Sequence, residues 1–159
     1  MKIRIVCVGR LKEKYWQDAL KEYQKRLGAY VNLEICEVND EKTPDRASLK
    51  ECEQIKNREG ERLLAKIKPN DHVVLLDLKG KMLSSEELSA QIEGYMLKGQ
   101  ETIDYVIGGS LGVSEQVKAR ANEMLCFSKM TFPHQMMRVI LLEQIYRGFK
   151  IMRHEPYHK

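Results

Sequence analysis

The stretch Tyr105–Val113, YVIGGSLGV, carries an apolar run into three glycines within five residues, Gly108, Gly109 and Gly112. The run reads as a strand, and the glycines as a tight turn that brings backbone close to a ligand or to a neighbouring element. The residues themselves narrow the ligand. A Walker A loop places Lys-Ser/Thr after its last glycine, whereas Val113-Ser114 follows here, so no lysine reaches a β- or γ-phosphate. A dinucleotide fingerprint is G-x-G-x-x-G in the first strand–helix unit, with an acid about 20 residues further on. This turn is G-G-x-x-G and falls in the fourth such unit, while the first has only Gly9. Two readings stay open: a ligand without phosphate, or a turn made only for close packing.

Outward from that turn the chain alternates. Ile3–Gly9 is a β-branched run ending in glycine, and Lys12–Leu27 carries Tyr15, Trp16, Leu20, Tyr23 and Leu27 at helical spacing up to Gly28. Val31–Val38 alternates as a strand, and Asn39–Arg46 is a polar connection. Ala47–Lys68 repeats apolar residues at helical intervals, with Gly60 weakening it by about 1 kcal/mol relative to alanine. His72–Leu78 is a strongly apolar strand, and Gly80 is expected to turn the chain. Ser84 with Glu87 three residues on forms a capping box opening a helix to about Lys98. Thr102–Ile107 is a strand, Ser114–Ala121 a short helix, Met124–Lys129 a fifth strand, and His134–Ile151 a long helix. The terminal HEPYHK is too short and polar for an element. The order predicts one α/β domain over residues 1–159: a mostly parallel sheet covered by helices on both faces. Ligands of such sheets sit outside the carboxyl ends of the strands, which selects the loops after Leu76, Ile107 and Phe127.

Composition bounds the function classes. With 43% hydrophobic and 31% charged residues the chain can bury a core. Its longest apolar runs are far too short to span a membrane, and its amino terminus reads as a strand and not a signal segment. The cysteines Cys7, Cys36, Cys52 and Cys126 form no C-x-x-C pair, which points to reduced thiols in a cytoplasmic protein, and no Cys or His pair has zinc spacing in a cluster. Net charge is +4, and it is uneven: Lys118–Lys159 holds eight Lys and Arg against three Glu. That is the footprint of a polyanion binder or of a solvated basic face.

An ordered set of segments resembles a known family. LLDLKGK (Leu75–Lys81), IGGSLGV (Ile107–Val113), SKMTFPHQMMRVILLEQIYRGF (Ser128–Phe149) and the terminal HEPYHK, together with MKIRIVCVGRLKEKYW, are similar to the SPOUT superfamily of S-adenosylmethionine-dependent RNA methyltransferases. Within it they resemble the small pseudouridine N3-methyltransferases of the large ribosomal subunit, the RlmH family. The similarity covers essentially the whole chain.

The resemblance implies a C-terminal trefoil knot whose backbone forms the cofactor pocket, and a homodimer built on the last helix. S-adenosylmethionine would be bound by Leu76, Gly108, Phe127, Ser128, Lys129, Met130, Thr131 and Phe132. A side chain at Gly108 is expected to exclude the cofactor without unfolding the protein. The acceptor implied is N3 of a pseudouridine in large-subunit ribosomal RNA, on the assembled ribosome. For catalysis the expected residues are His134, which can titrate near neutrality, Arg138 one helical turn on, steadying RNA phosphate or the target base, and Tyr157 of the tail, stacking on the base. Two other classes compete: a non-catalytic RNA-binding assembly factor, and a flavodoxin-like oxidoreductase. Binding of S-adenosylmethionine separates them.

Overall fold

The computed structural model describes all residues, Met1–Lys159. Strands and helices alternate as β1 (Lys2–Val8), α1 (Lys14–Leu27), β2 (Asn32–Val38), α2 (Leu49–Leu64), β3 (His72–Met82), α3 (Ser85–Leu97), β4 (Thr102–Ile107), α4 (Glu115–Arg120), β5 (Glu123–Cys126) and α5 (His134–Met152). The five strands form one sheet in the order β2-β1-β4-β3-β5, parallel at every pairing. Parallel strands need crossover helices, and those helices cover both faces, as the alternation predicts.

Side-chain alternation along the strands sorts the core into two layers. Ile3, Ile5 and Cys7 of β1 face one way with Ile103, Tyr105 and Ile107 of β4, against Leu20, Leu27, Ile92, Leu141, Leu142 and Ile145 from α1, α3 and α5. Val6 and Val8 face the other way with Val73, Leu75 and Val106, against Leu63 of α2 and Val117 of α4. Serines 48, 84 and 114 cap α2, α3 and α4, and Ser84 with Glu87 makes the complete capping box. All four cysteines are free thiols, and burial pushes the Cys7 thiol up to about 12. No helix is long and apolar enough to cross a membrane.

Three local expectations change. The third strand does not end at Leu78. It leaves β5 after Leu76, bows out over four residues, and rejoins so that both Leu76 and Lys81 register with Leu125. Gly80 is therefore not a turn residue: a Cβ there would lie 2.6 Å from the Leu125 backbone, so glycine allows the two strands to close again. The fifth strand stops at Cys126, which releases Phe127 onward into the loop. The tail is not loose. His154 adopts φ 53°, reversing the chain so that Tyr157 packs edge-on against Tyr146 at 5.0 Å and donates to Glu143 Oε1 at 3.1 Å. His158 Nε2 lies 2.8 Å from Glu86 Oε1.

Gly60 also reverses its expected sign. It is buried in mid-helix, where a Cβ would press on the Ser114 side chain, 3.2 Å from its Cβ, and stand 3.3 Å from Val117 Cγ2. Its cost in helix propensity secures the close approach of α2 to α4. Gly60→Ala should therefore lose about 1–3 kcal/mol of stability despite alanine's better propensity, read as a lower urea midpoint at unchanged slope.

Candidate active site

Beyond the carboxyl ends of β3, β4 and β5 lies a cavity of about 520 Å³, walled by the bowed segment of β3, the glycine turn, and the loop from β5 into α5. These are the three loops that strand order selects, and they meet because parallel neighbours deliver their carboxyl ends to one edge. The volume lies within the range of small-ligand pockets. The wall is mainly apolar, including Leu76, Leu78, Ile107, Val113, Phe127 and Met137.

Seven of the eight expected cofactor residues line it: Leu76, Gly108, Phe127, Ser128, Met130, Thr131 and Phe132. Lys129 does not; it is exposed and points out of the loop, while the Ser128 hydroxyl accepts from the Met130 N–H at 3.0 Å and folds the loop tightly there. Sequence reading missed Asp77 and Lys79 on the bowed segment, and Lys118 and Met137 on the flanking helices. Those on the segment were hidden because Gly80 suggested a turn beyond the site.

Gly108 serves the turn more than the ligand. A Cβ there would meet Val113 Cγ1 at 2.6 Å and the Gly112 carbonyl oxygen at 3.0 Å, both within the turn. Gly112 has φ 87°, and its N–H donates to the Gly109 carbonyl at 3.1 Å, closing the loop on itself. A side chain at 108 thus strains the turn that forms this part of the wall, beyond any effect on the pocket.

His134 stands at the first turn of α5 and lines the cavity, part-buried. Burial lowers its pKa below 6.5, the nearby positive Arg138 lowers it further, and Asp40 opposes them. The imidazole is thereby held neutral at physiological pH, with a ring nitrogen available to accept a proton or hydrogen bond.

Arg138 is not at the surface. Its side chain is 0% exposed, and its guanidinium donates to the carbonyls of Val8 at 2.7 Å and Gly9 at 2.9 Å and to Glu37 Oε2 at 2.8 Å. Glu37 also accepts from the Leu11 N–H at 3.1 Å. The expected contact with RNA phosphate gives way to a positioning role: Arg138 anchors α5, and with it His134, to the ends of β1 and β2. A sign of this was present in the sequence, since 138 falls on the buried stripe of Leu142, Ile145 and Phe149. Tyr157 lines no part of the cavity. It rests about two helical turns further along α5, with the Arg147 guanidinium 4.7 Å over its ring.

Fold and site together define an α/β protein with a ligand pocket at the carboxyl edge of a parallel sheet, walled by backbone and apolar side chains and entered beside a neutral histidine. The chain belongs to the SPOUT methyltransferase family: the family described as "Predicted SPOUT methyltransferase" matches residues 1–158. It is similar to the ribosomal RNA large subunit methyltransferase H of Clostridium acetobutylicum, at 61% identity over 159 residues and the full length of both chains. In fold it is similar to a probable methylase family protein from Haemophilus influenzae Rd KW20. That likeness has a TM-score of 0.57 at 12% identity, over 99% of this chain and 70% of that one.

Gly108→Ala should lower stability by about 1–3 kcal/mol through crowding in the turn. Adding Val113→Ala, which removes the nearest obstructing carbon, should recover part of the loss. Urea unfolding of the single and double variants measures both.

Proposed function

We propose that this methyltransferase takes its methyl group from S-adenosylmethionine and places it on N3 of a pseudouridine in large-subunit ribosomal RNA, in the cytoplasm and on the assembled ribosome. The observation that carries the reading is the pocket: its walls suit adenine and a thioether chain, and its glycine turn has no lysine for phosphate. The full-length similarity to a ribosomal RNA large subunit methyltransferase supports the acceptor. A knotted C-terminal region agrees with β5 pairing on β3 beside the bowed segment while α5 returns to pack on α1 and α3.

The cofactor, when bound, supplies an activated methyl on a sulfonium. The chain's own residues have two tasks, to hold donor and acceptor in line and to receive the imide proton of the acceptor nitrogen. The backbone of Gly108 and Gly109 and the loop Phe127–Phe132 do the holding. His134 receives the proton directly or through water, at the pocket's edge and in its neutral form. Arg138 keeps it there.

Tyr157 lies outside its own subunit's pocket, so stacking on the target base requires a second subunit. Leu78, Met130 and Phe132 leave apolar surface exposed at the pocket mouth, and α5 presents partly exposed Met136, Val139 and Ile140 nearby. A homodimer covering that surface would bring tail and pocket of different subunits together.

Calorimetry with S-adenosylmethionine tests the cofactor: the wild-type chain should bind it, and flavin binding instead would overturn the reading. His134→Ala should keep that affinity within about threefold and lower methylation of ribosomes by about 100-fold or more. The wild-type rate should fall as pH drops through the lowered His134 pKa, below 6.5, because protonation removes the acceptor. In His134→Ala that acid limb should vanish. Deleting His154–Lys159 should leave a dimer by gel filtration that binds cofactor but methylates no RNA; full activity would remove the tail from the site.

A further inference from the structure

Glu59 is a carboxylate in a costly place. It lies on the buried stripe of α2 between Ile55 and Leu63, and is 5% exposed. No cation pairs with it, since Arg62 on the same helix is taken by Glu41 at 2.5 Å. It accepts a hydrogen bond from the Glu41 N–H at 3.1 Å. Burial pushes its carboxyl pKa up, Asp40 and Glu41 add to the rise, and the Glu41 N–H and Arg62 oppose it. A neutral side chain of the same size would fill this volume at lower cost, so packing alone gives no reason for a charge.

What the carboxylate faces supplies the reason. Gly109 presents the place of its missing side chain to it: a Cβ there would stand 2.9 Å from Glu59 Oε1 and 3.2 Å from Oε2. Gly109 lines the cofactor cavity, and Glu59 does not. One glycine backbone therefore separates a buried carboxylate from the pocket interior. The next residue, Gly60, seats against Ser114 just beyond the same turn, which fixes the carboxylate's distance from the wall.

We propose that Glu59 is a counter-charge to the cofactor: set behind the glycine wall, it favours the sulfonium of S-adenosylmethionine over the uncharged sulfur of S-adenosylhomocysteine. The inference rests on the reading of the pocket as an S-adenosylmethionine site. Physically, the interaction acts across apolar surroundings from which water is displaced, where opposite charges attract over several ångströms more strongly than they do in solvent. With glycine at 109, no side chain stands between the carboxylate and the pocket wall. The two ligands carry the same amino, carboxyl and adenosine groups and differ in the methyl that gives sulfur its charge, so a change of their affinity ratio between wild type and variant reads the charge on sulfur.

The experiment is calorimetry of both ligands on the full chain and on Glu59→Gln. The variant should lose about fivefold in affinity for S-adenosylmethionine while S-adenosylhomocysteine changes less than about twofold. Glu59→Asp, which keeps the charge, should retain most of the wild-type ratio. Equal losses for both ligands, or none, overturn the inference alone, because lost packing does not discriminate charge. Failure of the wild type to bind either ligand overturns the cofactor reading and this inference with it. Should Glu59→Gln not fold, the ratio is read against pH in a His134→Gln chain, where the pocket imidazole no longer titrates. Asp40, Glu41 and Arg62 are the charged groups facing Glu59, while Val8 and Gly109 bring none. The ratio should fall as Glu59 protonates, and a ratio that stays flat from neutral pH down through the ordinary carboxylate range overturns the proposal.

Discussion

The guanidinium of Arg138 joins the last helix to the first strand, donating to the Val8 and Gly9 carbonyls and to Glu37 with none of its side chain in water. The Val8 and Gly9 carbonyls at the end of β1 and the Glu37 carboxylate on β2 all accept from it. One planar fork answers all of these. Removing it would leave two carbonyls without their donor and return the partly exposed Glu37 to water, a loss of about 1–3 kcal/mol. At the opposite end of the same strand Arg4 donates to Asp104 at 2.7 and 2.9 Å and to the Lys66 carbonyl at 2.6 Å. Strand β1 is thus held at both ends by buried arginines, and the site is built above one of them.

From that anchor the pocket follows by close approach of backbones. Gly60 lets α2 meet α4, Gly80 lets β3 rejoin β5, and Gly108 lets the turn close on Val113. Each glycine gives up conformational entropy for a contact that no side chain permits. Of the three, Gly108 lines the cavity, whose wall joins the main chain of the turn to apolar side chains of the neighbouring loops. A wall of glycine also transmits the field of whatever lies behind it, which gives Glu59 its place in the account.

Much of this was legible in the sequence. Period 2 and period 3.6 patterns fixed ten elements in order: β1 and β4, buried on both faces, read as apolar runs, the edge strand β2 alternates, and the helices each bury one face. Val113-Ser114, standing where a lysine would be, excluded a Walker A loop at the glycine turn. What stayed hidden had a common cause: residue type was weighed before residue place. Arg138 read as a cation facing RNA by chemistry, and Glu59 drew no notice, although both fall on apolar helical stripes. Gly60 and Gly80 read as a weak point and a turn, since packing partners from remote segments leave no local trace. Tyr157 seemed to sit in a loose tail because the left-handed turn at His154 has no sequence signal as strong as glycine.

The span of the Arg138 contact bears on how the protein comes into being. Val8 and Arg138 are 130 positions apart, and every pocket-lining residue lies at or beyond Leu76. As the chain is synthesised, β1 must wait with its terminal carbonyls open until the last helix arrives. Contacts of such long range are closed late, after the loop entropy between them has been met. Most of the pocket wall precedes α5, but His134 and the guanidinium that steadies it arrive only with that last helix, so the site is finished only when the chain nearly is.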